Sequence, residues 1–323
     1  MRSEALLTCY LESKKFLPFD AQAPFAFRLP GLFNTMGLIV MRMCRRTPCK
    51  DPIVPKLFAV LLSAATAHCL WAQSLHQPKF SACRAHFAGG EPPRIDLSLM
   101  PGRLRELCFE AFAVLHSGQS KTPVWVAQRL DPEELAKAQQ LPRSGRFYPE
   151  ARLPAAERAS LEDYHGSGWD RGHMAPAGDM ASDTAMAQSF SLANMVPQAP
   201  ELNRGVWADY EKSTRRYVRR VGHAVYVITG PVYRQVSVQA GMKPATGQDV
   251  PAVSRIGPSS VWVPDAVFKL VYDPIQERAW AYWSENRNDT KAAAPISLQQ
   301  LRQRLPHQWL PHLKREDQLK SID

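Results

Sequence analysis

Gly168-Trp169-Asp170-Arg171-Gly172-His173-Met174-Ala175-Pro176 sets a carboxylate, a guanidinium and an imidazole within four positions. Glycine before Asp170 and again between Arg171 and His173 lets the backbone bend tightly, and Pro176 disfavours helix at the residue before it. An extended segment ending in a tight, polar bend is the simplest conformation for it. Such a bend aims an imidazole base and a guanidinium at one phosphate. A lone histidine in a bend is more often structural, so the flanking sequence has to decide between the two.

Two segments follow it. Asn194-Met195-Val196-Pro197-Gln198 comes first, then Leu202-Asn203-Arg204-Gly205-Val206-Trp207, with Glu211 shortly beyond. In this order and at this spacing, Asp170-Arg171-Gly172-His173 and the two segments resemble the DNA/RNA non-specific endonucleases. That family includes secreted bacterial nucleases and mitochondrial endonuclease G. The resemblance spans roughly residues 122–282. It implies an α+β fold in which a ββα-metal finger sits on a mainly antiparallel β-sheet flanked by helices. It also implies metal-dependent hydrolysis of DNA and RNA with low sequence specificity, leaving 5′-phosphates.

Phosphodiester hydrolysis needs a base for water, neutralisation of charge on phosphorus and stabilisation of the leaving oxygen. An imidazole supplies the first, a divalent ion the third and part of the second, and guanidinium groups the rest. By resemblance His173 is the general base and Asn203 the direct metal ligand, its hard amide oxygen suiting hydrated Mg²⁺, with Mn²⁺ as the alternative ion. Glu211 lies eight residues further on, about 12 Å along a helix, and is expected to reach the ion through water. The resemblance has Asn194 support the base and the substrate phosphate, and Arg171 hold phosphate or an acidic group beside the metal. Asp170 is expected to orient the bend and the imidazole. Arg146 is the candidate for an upstream phosphate-binding arginine, with Arg143 and Arg152 as alternatives. Blander roles stand beside these: Asn203 as a helix N-cap, and Glu211 in an ion pair with Arg215 four residues on. Tyr164, Trp169 and Trp207 are either stacking platforms for bases or buried aromatics.

A chain of 323 residues with 45% apolar content has room for one large domain, and its net charge of +10 favours an anionic partner. No Cys pair has zinc spacing. Of six cysteines, Cys83 and Cys108 are expected to form one disulfide in an exported protein. Lys56 followed by an apolar run over 57–67 has the pattern of a secretory signal peptide, with translation starting at Met41 or Met43. Residues 1–72 are accordingly expected to be an extension plus signal peptide. Residues 73–323 would be the endonuclease domain, periplasmic or secreted, with no stable membrane association after cleavage and an oligomeric state the sequence does not give. Alternatives in function are a catalytically inactive relative that binds nucleic acid and a metal-dependent phosphodiesterase for smaller substrates.

Residues 73–102 read as an irregular lead-in and 104–116 as a helix, from the spacing of Leu104, Leu107, Ala111 and Leu115. Strands are predicted at 122–127, 225–229, 261–264, 266–272 and 279–283. Helices are predicted from Asp131, over 183–190, over 204–221 with Asn203 as cap, and over 298–305. Lys212, Arg215, Arg216, Arg219 and Arg220 make most of the longest helix basic, either as a phosphate track or as a solvated face. The tail from His312 reads as loose.

Overall fold

The computed structural model describes residues 77–97, 100–234 and 253–321, all within the unit Leu75–Asp323. The expected signal peptide and the boundary at residue 72 lie outside the described residues. In chain order the strands are β1 (Leu104–Cys108), β2 (Ala113–Ser117), β3 (Thr122–Leu130), β4 (Asp170–His173), β5 (Met195–Gln198), β6 (Val225–Val232), β7 (Arg255–Ile256), β8 (Val261–Trp262), β9 (Ala266–Asp273), β10 (Arg278–Glu285) and β11 (Ile296–Ser297). The helices used below are α1 (Pro132–Ala138), α2 (Leu161–Tyr164), α3 (Asp183–Ser189), α4 (Ala208–Val221) and α5 (Leu298–Arg304). None of the described helices is long and apolar enough to cross a membrane.

Seven strands form one sheet in the order β1-β2-β3-β6-β9-β10-β11, each pair antiparallel. The expected α+β class with a mainly antiparallel sheet is therefore present. Successive strand residues point to opposite faces, and both faces are buried. Val114, Val126, Val227, Val267, Val271 and Trp280 join a core shared with Leu135, Trp207, Tyr210 and Tyr217. Leu115, Trp125, Ile228, Phe268, Leu270 and Ala281 join a second core with Phe80, Phe87, Leu301 and Trp309. The lead-in and the C-terminal tail are thus what cover the second face. The tail is docked: Lys320 bridges to Arg278, and the buried Glu316 carboxylate accepts from the Leu310 amide.

Residues 104–116 are a hairpin, not a helix. Strand β2 is buried at every position because it has a core on each side. Its run of apolar residues then mimics a helical face, and periodicity alone does not separate the two. Phe109 and Phe112 stack across the turn with centroids 4.4 Å apart. The Cys83–Cys108 disulfide expected from the sequence is formed and ties the lead-in to β1. Strand β6 also continues past its expected end at Gly230-Pro231. Its pairing with β3 stops at Thr229, and Pro231 faces only β9. On the side of the missing partner, a residue without an amide hydrogen is tolerated.

The predicted helix starting at Asp131 is α1, capped by the Asp131 carboxylate on the Glu133 amide. Its counterparts at 183 and 298 start at Ser182 and Ser297, whose hydroxyls accept from Ala185 and Gln300 amides. Strands β4 and β5 form a separate antiparallel pair, Asp170↔Gln198 to His173↔Met195, and lead into the helical run that ends in α4. This β-β-helix unit lies on the first core and carries the residues singled out above.

Candidate active site

Strand β4 is extended, as expected, and Gly172 is required there by packing. A Cβ on Gly172 would collide with the Gln198 side chain across the β4–β5 pair, so the residue between Arg171 and His173 has no room for a side chain. His173 ends the strand. Its ring meets Phe190 edge-on at 5.2 Å and Phe147 at 5.7 Å. It is buried at 8% exposure. Burial first, and then the Arg143 guanidinium nearby, push its pKa down to about 3. The imidazole is therefore neutral at ordinary pH and keeps a lone pair. Its Nε2 is buried without a hydrogen-bond partner among the described residues, a vacancy uncommon enough in folded proteins to point to function.

Asn203 is not a helix N-cap. Helix begins at Pro200, a residue suited to the first turn, and Asn203 lies inside it with φ −57° and ψ −46°. A π-turn spans Asn203–Trp207, opened by Gly205 at ψ −105°. Such turns concentrate at functional sites because they displace side chains from the helical raster. The Asn203 Nδ2 donates to Asp170 Oδ2 at 2.9 Å, which commits the amide nitrogen. Its Oδ1 accepts no hydrogen bond among the described residues. The Asp170 carboxylate also accepts from Arg204 at 2.7 and 2.8 Å. Partial burial works to raise its pKa, but the bonds from Arg204 and Asn203 outweigh it and hold it below the usual value. Asp170 thus orients the amide of Asn203, and no bond from it to His173 is present among the described residues.

His173, Asn203, Asp170, Arg171 and Glu211 line one cavity of about 560 Å³, with Arg143, Arg204, Lys212 and Arg215. Ala208, Glu211, Lys212 and Arg215 enter from α4 at helical spacing, one face of the helix turned to the cavity. Five cationic side chains and two carboxylates make the wall cationic. Glu211 makes no hydrogen bond among the described residues. Burial pushes its carboxyl up to about 7 against the opposing pull of Lys269. The expected Glu211–Arg215 pair is replaced: Arg215 donates to Asp179 at 2.8 Å. Lys269, whose charge acts on Glu211, is 2% exposed, donates to Thr229 and lies 5.5 Å from the Trp207 ring centroid. Burial lowers its pKa while Glu211 and Asp179 work to raise it.

Three expected placements change. Arg146 is exposed and is not among the lining residues; Arg143 takes that wall. Arg152 is spent on Glu150 at 2.8 and 3.0 Å. Asn194 has no exposed surface and so no face for a phosphate. It stands behind the base, where its Oδ1 accepts from the Ala175 amide while Nδ2 donates to Ala175 and Ser189 carbonyls, all at 2.9 Å. That clamp holds the chain two residues past His173. Of the aromatics, Tyr164 and Trp207 are core residues and not stacking platforms. Lys269 was missed by sequence reasoning, a lysine inside an apolar strand being the available signal; Arg215 was read only as a partner of Glu211 or as part of a basic helix face.

Asn194→Ala is expected to cost roughly 2–4 kcal/mol, because it leaves one buried amide and two buried carbonyls short of partners. Asn194→Asp should do no better, since it restores the acceptor but not the donors. Urea midpoints at constant slope measure this; a loss below about 0.5 kcal/mol in the alanine variant would remove the clamp.

A two-stranded finger leading into a helix, with imidazole, amide and carboxylate around one cationic cavity, is the ββα arrangement. Residues 98–305 match the family described as DNA/RNA non-specific endonuclease, and the chain belongs to that family. It is 36% identical over 160 residues to the mitochondrial nuclease EXOG of Xenopus laevis, covering 49% of this chain and 42% of that one. It is 32% identical over 186 residues to nuclease C1 of Cunninghamella echinulata var. echinulata, covering 56% and 71%. Mitochondrial endonuclease G of Bos taurus is 32% identical over 185 residues, covering 57% and 59%. The chain thus spans about half the length of the curated relatives it matches. A chain in the crystal structure of the EndoG/EndoGI complex superposes with a TM-score of 0.60 at 23% identity, over 77% of this chain and 98% of that one, and shares the fold. Several relatives are named as mitochondrial nucleases. That corrects the expectation of a periplasmic or secreted protein; the Cys83–Cys108 bridge, expected on the assumption of export, forms all the same and is no guide to compartment here.

Proposed function

We propose that the chain is a metal-dependent endonuclease that hydrolyses phosphodiester bonds of DNA and RNA with low sequence specificity and leaves 5′-phosphates. What carries this is the convergence on one cationic cavity of a neutral imidazole nitrogen and an amide oxygen that have no hydrogen-bond partner among the described residues. His173 takes the proton of the attacking water; its depressed pKa keeps it in the base form across the neutral range. Arg143, Arg171 and Arg215 bring guanidinium groups to the cavity, where they bind and neutralise the scissile phosphate. Asp170 fixes the Asn203 amide by its nitrogen, and the Phe147 ring under Arg171, 4.4 Å from its guanidinium, fixes that side chain.

The donor set fits a hard divalent cation. Asn203 Oδ1 accepts no hydrogen bond among the described residues, and the Glu211 carboxyl on the same cavity is held up by burial, so a bound cation would favour its ionised form. Among the described residues no three His, Cys, Asp or Glu side chains cluster as a metal set, and a largely hydrated ion held by one amide oxygen requires none. Asn203 would hold Mg²⁺ or Mn²⁺ directly and Glu211 through water. When bound, the ion supplies charge neutralisation at the leaving oxygen.

Plasmid nicking tests this. Relaxation of supercoiled DNA in Mg²⁺, its loss in EDTA and its restoration by Mn²⁺ or Mg²⁺ are expected, with products that ligase rejoins. Nicking that persists in EDTA would sink the metal, and turnover of small phosphodiesters without any polymer cleavage would favour the smaller-substrate alternative.

A further inference from the structure

Outside the cavity, α4 carries a second stripe of cations. Lys212, Arg216, Arg219 and Arg220 are exposed, and at 100° per residue they fall within about a third of the helix circumference. That stripe borders the face that turns Ala208, Glu211 and Arg215 into the cavity. Lys212 belongs to both, so the stripe begins at the cavity wall and runs about 12 Å towards the helix C-terminus at Gly222. The sequence has no Asp or Glu between Glu211 and the end of α4. Lys212 pairs with Asp209, both more than half exposed, and such pairs are weak. Among the described residues Arg216 donates only to the Ser213 hydroxyl. Arg220 lies over the Tyr217 ring at 5.2 Å, and Arg219 has no ion-pair partner among the described residues.

We propose that this ridge carries the phosphodiester backbone of the nucleic acid away from the scissile link. It rests on the reading of the cavity as a phosphodiester site and extends it to the flanking polymer. Twelve ångströms covers about three to four nucleotides of one strand at 3.4 Å each. Guanidinium groups bind phosphate through parallel donors without reading bases, which suits low sequence specificity. Helix capping is the competing explanation: Arg219 and Arg220 lie in the last turn, where cations complement the helix dipole.

The test uses the triple variant Arg216→Gln/Arg219→Gln/Arg220→Gln, whose residues lie outside the cavity lining, and Arg→Lys at the same three positions. Binding of a 30-base-pair duplex is measured in EDTA by fluorescence anisotropy between 50 and 200 mM NaCl. Each phosphate contact contributes about 0.9 to the slope of log K against log salt. Three lost contacts flatten it by about 2.7, so across this fourfold range the wild type loses about 40-fold more affinity than the glutamine variant. The lysine variant keeps the wild-type slope. In Mg²⁺ the ratio of kcat/KM on the long duplex to that on a dinucleotide falls in the glutamine variant. Should the triple variant lose its helical circular dichroism, Arg216→Gln alone, outside the last turn, is expected to flatten the slope by about 0.9. A lower melting temperature with an unchanged slope assigns the ridge to helix capping and overturns the proposal. Cleavage of neither substrate by the wild type overturns the nuclease reading instead, whatever the slope.

Discussion

Replacing His173 by alanine is expected to lower plasmid nicking by about 10²–10⁴-fold, the usual worth of a positioned general base. The fold should survive. The ring is packed against Phe147 and Phe190, so truncation opens a void, but it also removes a buried polar atom that has no partner among the described residues. These effects oppose each other, and a net stability change of about 1–2 kcal/mol in either direction is expected at pH 7. Duplex affinity in EDTA should stay near the wild-type value, because phosphate contacts come from the arginines and not from a neutral imidazole. The loss therefore falls on kcat with KM little changed, the pattern of a group used only in the transition state. Undiminished nicking by the folded variant would remove His173 as the base. Loss of binding along with cutting would mean the imidazole holds substrate.

The sequence made the site's chemistry legible more readily than its geometry. A strand followed by a bend is a local property of glycines and a proline, and β4 forms where they place it. Residues 104–116 failed because the decisive fact, a second core behind the sheet, is supplied by residues on either side of the whole domain, Phe80 and Trp309 among them. Asn203 was misplaced for a subtler reason. Its side chain leaves the helix as a cap residue's would, but it does so through a π-turn that depends on Gly205, and no periodicity announces such a turn. Arg143 and Arg146 flank Gly145 and look alike in sequence; only the packing of Gly145 against Phe190 turns the chain so that Arg143 meets the cavity. Arg215 was visible as one of many cations, and its distinction is Asp179, a partner far away in the chain.

Acid is expected to unfold the domain through its buried histidines. Burial pushes His116 and His307 down to about 4 and His173 to about 3, against about 6.5 in the unfolded chain. All three are under a tenth exposed. Above pH 6.5 they are neutral in both states and stability does not respond to them. As pH falls from there, the unfolded chain takes up protons that the folded chain refuses, so stability is lost at up to about 1.36 kcal/mol per pH unit for each histidine. At pH 5 that is about 2 kcal/mol each, or about 6 kcal/mol together, against the 5–15 kcal/mol that holds a typical domain. Glu211 acts the other way. Its raised pKa lets the fold gain as pH falls from about 7, but one group gains at most about 1.36 kcal/mol per pH unit while three histidines each lose up to the same amount, so the histidines prevail. Urea midpoints should accordingly hold between pH 7 and 8 and drop steeply from pH 6.5 to 5. His116→Gln, which keeps a side chain able to donate to the Glu157 carbonyl now 2.9 Å from Nε2, should remove about a third of the slope. A flat profile down to pH 5 would mean that these rings are protonated in the native state, and with that His173 would no longer be the neutral base that the mechanism requires.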